Sequence, residues 1–228
     1  MGLKIMIRKY DVILFDLDGT LTDPQVGIIN SIHHSLKYFG IIEKDTDSLK
    51  KFIGPPLKES FMKYYCFDND KAMLAIEKYR EYFAVKGLFE NEVYPSIPDL
   101  LAELSYCGKK LVVATSKPTE FAERILNHFD LNKYLSFTAG SNLDGSRTRK
   151  GEVISYALKQ CRLEVNDNVV MVGDRKHDII GAKEIGIDSI GVLYGFGSHH
   201  ELEKENPTYI AENVNGLRRV LIDLESSY

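Results

Sequence analysis

Short apolar segments alternate with amphipathic helical patterns along most of the chain. Residues 12–15 form a continuous apolar run that ends at Asp16, which is typical of a strand buried on both faces. Comparable runs occupy residues 110–114, 135–139, 169–172 and 189–193. Helical periodicity separates them at residues 98–107, 118–129, 151–161 and 178–185. This alternation predicts an α/β fold, a three-layer Rossmann-like core with a mostly parallel sheet and helices on both faces.

One long interval lacks the strand pattern. Between Thr22 and Asn91 the chain shows only helical periodicity, which predicts helices over residues 26–39, 57–65 and 71–85. An insertion of this size predicts a small α-helical domain over residues 21–90 and a core made of residues 1–20 and 91–228. The linkers are expected at residues 21–24 and 88–96, where turn-forming residues occur.

Composition and charge limit which kinds of binding partner and which cellular compartment are expected for the chain. The formal net charge is −4 and the basic residues are dispersed, so nothing favours a nucleic acid or a membrane as partner. The three cysteines, Cys66, Cys107 and Cys161, form no CxxC pair and are expected to be reduced thiols. No signal-peptide pattern and no apolar run of membrane-spanning length is found. We expect a soluble cytoplasmic protein, and the sequence leaves its oligomeric state open.

Two aspartates follow the first predicted strand directly, in the segment DLDGT at residues 16–20. Ligands of open α/β sheets bind at the carboxyl ends of the strands, and the alternation of an extended segment places Asp16 and Asp18 on the same side. Gly19 permits a tight turn whose exposed N–H groups suit a phosphate. The alternative is a pair of aspartates that only cap a turn, but this five-residue pattern is rare by chance.

A second pair of carboxylates follows another apolar strand, in the segment GDRKHD at residues 173–178. Asp174 and Asp178 are four residues apart, which would place them on one face of a helix that begins there. Beside Asp16 they would repel one another unless a cation lies between them, and a hard divalent ion such as Mg²⁺ suits oxygen ligands. The alternative is an aspartate N-cap with a nearby acid, and the DLDGT segment at another strand end favours the metal site.

Four motifs in one order carry a family resemblance. They are DLDGT at 16–20, VVATSK at 112–117, TRK at 148–150 and GDRKHD at 173–178. With them the chain resembles the haloacid dehalogenase-like hydrolase superfamily, and closely its phosphoglycolate phosphatase-like branch, whose helical cap sits where the helical insertion lies. The resemblance implies that Asp16 attacks phosphorus to form an aspartyl-phosphate and that Asp18 is the general acid and base. It also implies Mg²⁺ held by Asp16, the Asp18 backbone carbonyl and Asp174, with Asp178 binding directly or through water.

The resemblance further implies which residues hold the phosphoryl oxygens. Thr115 and Ser116 end the second strand of the core, and their hydroxyl and backbone N–H groups suit phosphate oxygens. Lys150 lies near a predicted helix start, where a cation is unfavourable without a compensating anion. Taken alone, Thr115 resembles any β-branched residue at a strand end and Lys150 any solvated lysine. The position of Lys150 between the second and last motifs favours a role in phosphate binding.

The segment FIGPPL at residues 52–57, here called the cap loop, is similar to the cap loop of phosphoglycolate phosphatases and related pyrophosphatases. We therefore expect Gly54, Pro55 and the adjacent Lys58 to set substrate choice, because the core motifs serve only the phosphoryl group and the metal. Lys50, Lys51 and Lys58 either attract a second negative charge of the substrate or form a solvated helix face.

These patterns together predict a Mg²⁺-dependent phosphatase that hydrolyses a small phosphorylated metabolite and is phosphoglycolate phosphatase-like. Three alternatives stay open: a 5'-nucleotidase or a pyrophosphatase of the same branch, and a phosphosugar mutase of the β-phosphoglucomutase type, which shares the core motifs. A catalytically inactive binding module is disfavoured, because the aspartates of the first and last motifs are intact.

Overall fold

Six parallel strands form the central sheet of the computed structural model, which describes residues 10–165 and 168–222. Two further strands of two residues each pair with one another in antiparallel fashion. In chain order the strands are β1 Val12–Phe15, β2 Thr22–Asp23, β3 Glu92–Val93, β4 Lys110–Pro118, β5 Phe137–Ser141, β6 Val169–Gly173, β7 Asp188–Val192 and β8 Tyr209–Ala211. The large sheet has the spatial order β5-β4-β1-β6-β7-β8, which confirms the predicted parallel α/β fold.

The central strand β1 explains the first apolar run of the sequence. Val12 and Leu14 belong to one hydrophobic cluster, and Ile13 and Phe15 to another on the opposite face. Because both faces are covered, every residue of the strand is buried and the alternation of apolar and polar positions disappears. The burial of β1 on both faces therefore accounts for the three layers, in which the sheet lies between two layers of helices.

Helices cover both faces of the sheet, as predicted. The first cluster includes residues of α6 and α7, and the second includes residues of α4, α5 and α9. In chain order the helices are α1 Gln25–Tyr38, α2 Leu57–Tyr65, α3 Asn69–Tyr82, α4 Ile97–Tyr106, α5 Thr119–His128, α6 Lys150–Gln160, α7 Lys176–Ile185, α8 His199–Lys204 and α9 Val214–Leu221. No helix in the described part of the chain has the length and apolarity needed to cross a membrane.

The predicted insertion contains α1, α2 and α3, with a 3-10 helix at Asp47–Phe52 and a π-helical turn at Phe83–Gly87. The expectation that this interval lacks strands was wrong in one place, since β2 lies within it and pairs with β3. A two-residue strand is too short to leave a periodic signal in the sequence. The division into a core and a cap at residues 21–90 stays a prediction.

Elements near the carboxyl end were not predicted. The strand β8 and the helices α8 and α9 follow β7 and complete one edge of the sheet. Each is short, from three to eight residues, which limits the periodic signal. The predictions for residues 1–9, 166–167 and 223–228, including the missing signal-peptide pattern and both ends of the predicted core, lie outside the described residues.

Candidate active site

The order of the strands brings three of the candidate motifs together. β1 lies between β4 and β6, and all three strands run parallel. Asp16 follows β1 and Asp174 follows β6. Thr115 and Ser116 lie within β4 rather than at its end as predicted, because the strand continues to Pro118. Because parallel strands end at the same edge of a sheet, the three motifs meet there even though they are far apart in the sequence.

Asp16 and Lys150 form a buried ion pair at the end of the sheet. The Lys150 Nζ lies 2.9 Å from Asp16 Oδ1 and 2.8 Å from Asp178 Oδ1, and it donates to the Ala114 carbonyl at 3.0 Å. The Leu17 N–H also donates to Asp16 Oδ1, at 2.7 Å. Burial by itself would lower the pKa of Lys150, but the two carboxylates outweigh it and raise that pKa. Lys150 therefore stays charged, and it holds the Asp16 carboxylate in one orientation.

Asp16, Asp174 and Asp178 form a buried carboxylate cluster, with one oxygen of each within 4.8 Å of the others. Burial first, and then the negative charges of Asp178 and Asp16, raise the pKa of Asp174 well above its ordinary range. Asp174 Oδ2 accepts from the Phe196 N–H at 2.8 Å, whereas Oδ1 is buried without a hydrogen bond to any described residue. An unpartnered carboxylate oxygen beside two other carboxylates fits a hard cation.

The predicted placement of Asp174 and Asp178 on one helical face was wrong. The helix α7 begins at Lys176, so Asp174 lies in the loop before it and only Asp178 is helical. The Arg175 N–H donates to Asp178 Oδ2 at 3.0 Å, as in a capping box. Asp178 thus caps the amino end of α7 with its Oδ2, while its Oδ1 faces the Lys150 ammonium.

Gly19 is required for the close approach of the first and last motifs. Its φ is +83°, and a Cβ built there would lie 2.3 Å from Asp174 Oδ2. Any side chain at this position would push the Asp174 carboxylate out of the cluster. The glycine of DLDGT therefore serves both the turn and the packing against the last motif.

Thr115 and Ser116 lie beside the two aspartates of the first motif. Both line a cavity above the carboxyl end of the sheet, together with Asp16 and Asp18. Thr115 is buried, and its Oγ1 accepts from the Lys117 N–H at 3.3 Å. The Ser116 hydroxyl donates to the Thr148 carbonyl at 3.2 Å, so its side chain ties β4 to the segment that precedes Lys150.

Lys117 is a site residue for which the sequence predicted no role, although it ends the second motif. Its Nζ lies 2.9 Å from Asp18 Oδ2 and 4.4 Å from the ring centre of Phe83, in the π-helical turn. Both side chains of the ion pair are largely enclosed, and Asp18 Oδ1 has no hydrogen bond to the described residues. Burial raises the pKa of Asp18, and the Lys117 charge opposes that rise.

The cap loop forms one wall of the cavity, which has a volume of about 530 Å³. Gly54, Pro55 and Lys58 all line it, and their influence on substrate choice stays a prediction. The structure separates Lys58 from the other two lysines, which do not line the cavity. Lys50 pairs with Asp47 at 2.8 Å, and the Lys51 Nζ lies 4.2 Å from the Tyr64 ring centre. Of these three lysines, only Lys58 is therefore placed where it could attract a second negative charge of the substrate.

Aromatic side chains and an arginine complete the walls of the cavity. The aromatic residues come from the predicted cap and from α5, and they are Phe52, Tyr79, Phe83 and Phe121. Arg80 also lines the cavity, and its Nη1 donates to the Leu143 carbonyl at 3.0 Å. This contact links the end of α3 to the loop after β5. Phe52 belongs to the cap loop, but Tyr79, Phe83 and Phe121 carried no functional signal in the sequence, because aromatic residues at helical spacing ordinarily indicate core packing.

Comparison with known proteins adds to this geometry. A model of the haloacid dehalogenase-like hydrolase family matches residues 13–192. A 5'-nucleotidase of Pseudomonas aeruginosa is 47% identical over 93% of this chain and 96% of its own. The tyrosine-protein kinase PtkA of Mycobacterium tuberculosis is 37% identical over 92% of this chain and 72% of its own. A phosphoglycolate phosphatase of Vibrio parahaemolyticus is 24% identical, over 92% of this chain and 95% of its own.

A solved structure agrees with these matches. The crystal structure of a Clostridium difficile protein described as a phosphatase is 57% identical, with a TM-score of 0.86. The match covers 94% of this chain and all of the other. The similarity therefore extends over the sheet, the helical insertion and the candidate site together.

Proposed function

This chain belongs to the haloacid dehalogenase-like hydrolase family and is a phosphatase. From that premise we propose that it hydrolyses a nucleoside 5'-monophosphate, or a phosphomonoester of similar size, through an aspartyl-phosphate on Asp16. The observation that carries the reaction type is the Asp16 carboxylate at the floor of the cavity, held by Lys150 beside two further carboxylates. A carboxylate oriented in this way is a suitable covalent nucleophile for phosphorus.

The size of the cavity supports a bulky leaving group. A volume of about 530 Å³ lies within the range of pockets that enclose drug-sized ligands, and a glycolate leaving group would leave most of it unfilled. The aromatic side chains that line the cavity, such as Tyr79, suit contact with a nucleobase. The 47% identical Pseudomonas relative is a 5'-nucleotidase, which agrees with this choice over phosphoglycolate.

The carboxylate cluster supports a divalent cation, for which Mg²⁺ is our assignment. Asp16, Asp174 and the Asp18 backbone carbonyl would hold it. Asp178 would act through water, because its Oδ2 accepts from the Arg175 N–H and its Oδ1 is ion-paired with Lys150. When bound, the cation would offset the negative charge of the carboxylates and the phosphoryl oxygens.

The residues of the chain divide the reaction into two steps. A carboxylate oxygen of Asp16 attacks phosphorus, the bond to the leaving oxygen breaks, and the protonated Asp18 gives its proton to that oxygen. Water then attacks the aspartyl-phosphate, Asp18 accepts a proton from it, and the bond between Asp16 and phosphorus breaks to release phosphate. Thr115, Ser116 and Lys150 hold the phosphoryl oxygens. The burial that raises the pKa of Asp18 favours the protonated form that the first step requires.

Replacing Asp18 with asparagine is expected to lower kcat by about 10²–10⁴-fold, since neither proton transfer then has a donor or acceptor. The amide oxygen can still accept from Lys117, so phosphate affinity should change little. The measurements are kcat and the inhibition constant of inorganic phosphate. Asp130→Asn, at an exposed ion pair with Lys133, is the matched control and should keep the wild-type rate. An Asp18→Asn enzyme within threefold of wild type would exclude the assigned role.

The substrate class is tested by comparing kcat/KM for nucleoside 5'-monophosphates and for phosphoglycolate. We expect the nucleotides to be preferred by about tenfold or more, because aromatic contacts each contribute about 0.5–1.5 kcal/mol. Equal values, or a preference for phosphoglycolate, would contradict the nucleotide assignment and leave the phosphatase activity standing. Free phosphate should equal the nucleoside released. A phosphorylated second acceptor would instead support a transferase, such as a phosphosugar mutase.

A further inference from the structure

Arg175 joins the candidate metal loop to the cap loop. Its backbone N–H donates to Asp178 Oδ2, while its side chain extends toward the helical insertion. There the Nη1 donates to the Ile53 carbonyl in the cap loop. The Nε donates to Glu201 Oε1 of α8 at 2.9 Å. One side chain thus contacts α8 and the cap loop, and its backbone contacts the carboxylate cluster.

The surroundings of the Arg175 side chain limit its freedom. The Arg175 and Glu201 side chains are only 15% and 21% exposed. Glu201 Oε1 also accepts from the Lys176 N–H at 3.0 Å, which fixes the carboxylate against the start of α7. An enclosed guanidinium with a fixed partner is already oriented toward the Ile53 carbonyl, so little rotamer entropy is lost in making that bond.

Gly54 lies directly against this arginine. Its φ is +100°, and a Cβ there would lie 3.0 Å from the Nη1 and 3.1 Å from the Cγ of Arg175. Glycine both permits this backbone conformation and leaves room for the arginine to pass. The two residues that follow, Pro55 and Pro56, are stiff, so a single anchor at Ile53 restrains the whole cap loop.

We propose that Arg175 is a positioning residue that anchors the cap loop over the cavity and thereby determines how tightly large leaving groups bind. Arg175 is not among the residues that line the cavity, whereas Gly54, Pro55 and Lys58 are. It therefore acts on the substrate through the loop. The effect on substrates rests on the proposed function, but the anchoring itself does not.

Amide hydrogen exchange tests the anchor without any substrate. In Arg175→Ala, peptides spanning residues 50–58 should exchange about tenfold faster than in wild type, because a hydrogen bond from a charged donor is lost. Arg218→Ala is the matched control, since Arg218 donates from its Nε to Glu103 at 2.7 Å, and neither of these residues lines the cavity. It should leave that exchange unchanged. Unchanged exchange in Arg175→Ala would overturn the proposal, whatever the enzyme hydrolyses.

Kinetics with two substrates tests the consequence. Arg175→Ala should raise KM for a nucleoside 5'-monophosphate about tenfold and change kcat less than threefold. The KM of acetyl phosphate, whose leaving group is too small to reach the cap loop, should stay at the wild-type value. Arg175→Lys, which keeps the charge but lacks the branched guanidinium, should restore part of the lost substrate affinity. A uniform fall in kcat for both substrates, with KM unchanged, would overturn the role in binding large leaving groups.

If no phosphomonoester is turned over by the wild type, the proposed function fails while the exchange experiment still decides on the anchor. Should Arg175→Ala not fold, Glu201→Gln provides the second variant. It keeps the shape of the side chain and weakens its hold on the guanidinium, so exchange at residues 50–58 should rise by a smaller factor. No rise in that variant would count against the anchor.

Discussion

Replacing Asp16 with asparagine is expected to lower kcat by about 10⁴-fold or more, with the fold intact. The neutral amide is a poor nucleophile. No other carboxylate in the described structure combines a position directly after β1 with the Lys150 contact at 2.9 Å. The rate should be measured with the phosphomonoester that gives the highest kcat/KM, and circular dichroism should confirm the fold.

A second measurement separates loss of the nucleophile from general damage to the site. Wild-type enzyme quenched in acid during turnover should carry a phosphoryl group on the peptide that contains Asp16, and the variant should carry none. Asp130→Asn again serves as the control for the chemical change itself. A variant that keeps a tenth of the wild-type rate would rule out Asp16 as the nucleophile.

Removing divalent cations should abolish activity, and Mg²⁺ should restore it. The reason is the buried cluster of Asp16, Asp174 and Asp178, whose hard oxygens suit Mg²⁺. Ca²⁺ should inhibit, because its larger and looser coordination would disturb the alignment of the attacking carboxylate. Full activity in a thoroughly chelated buffer would refute the assignment.

Thermal unfolding gives a test of the cation that does not depend on activity. A ligand at 100 times its dissociation constant stabilises the folded state by about 2.7 kcal/mol, which is a rise in Tm of roughly 5–10 °C for a chain of this size. The rise should be absent in Asp174→Asn, which removes the oxygen that lacks a partner. An equal Mg²⁺-induced rise in wild type and variant would place the cation elsewhere.

The sequence predicted the core strands well because they are buried on both faces. A continuous apolar run such as Val12–Phe15, with an aspartate on either side, is typical of a strand in the middle of a parallel sheet. Errors arose where local signals are weak or where two structures share one pattern. β2 is too short to be seen, and Asp174 and Asp178 have helical spacing although the helix begins at Lys176.

Asp16 and Asp174, which belong to the proposed chemistry, could be found in the sequence because each follows a strand directly. Asp16 follows β1 and Asp174 follows β6, and the parallel order of the sheet then brings them together. Only the structure revealed that Gly19 must stay small because a side chain there would meet Asp174. The motif shows that a glycine is present, whereas the 2.3 Å between a Cβ built at this position and Asp174 Oδ2 shows why.

Local pattern by itself determined the parallel core, the helices α1, α2 and α3 and the aspartates at the strand ends. Strand burial, helical periodicity and strand-end loops all depend on neighbouring residues. Tertiary structure alone decided the contacts between distant segments. No periodic pattern in the sequence reveals the pairing of Lys117 with Asp18 or the aromatic walls of the cavity. The same holds for the hydrogen bond from Arg175 to the Ile53 carbonyl, 122 positions away. Such contacts depend on how the helical insertion packs over the sheet, and that packing is a property of the folded surfaces rather than of any one segment.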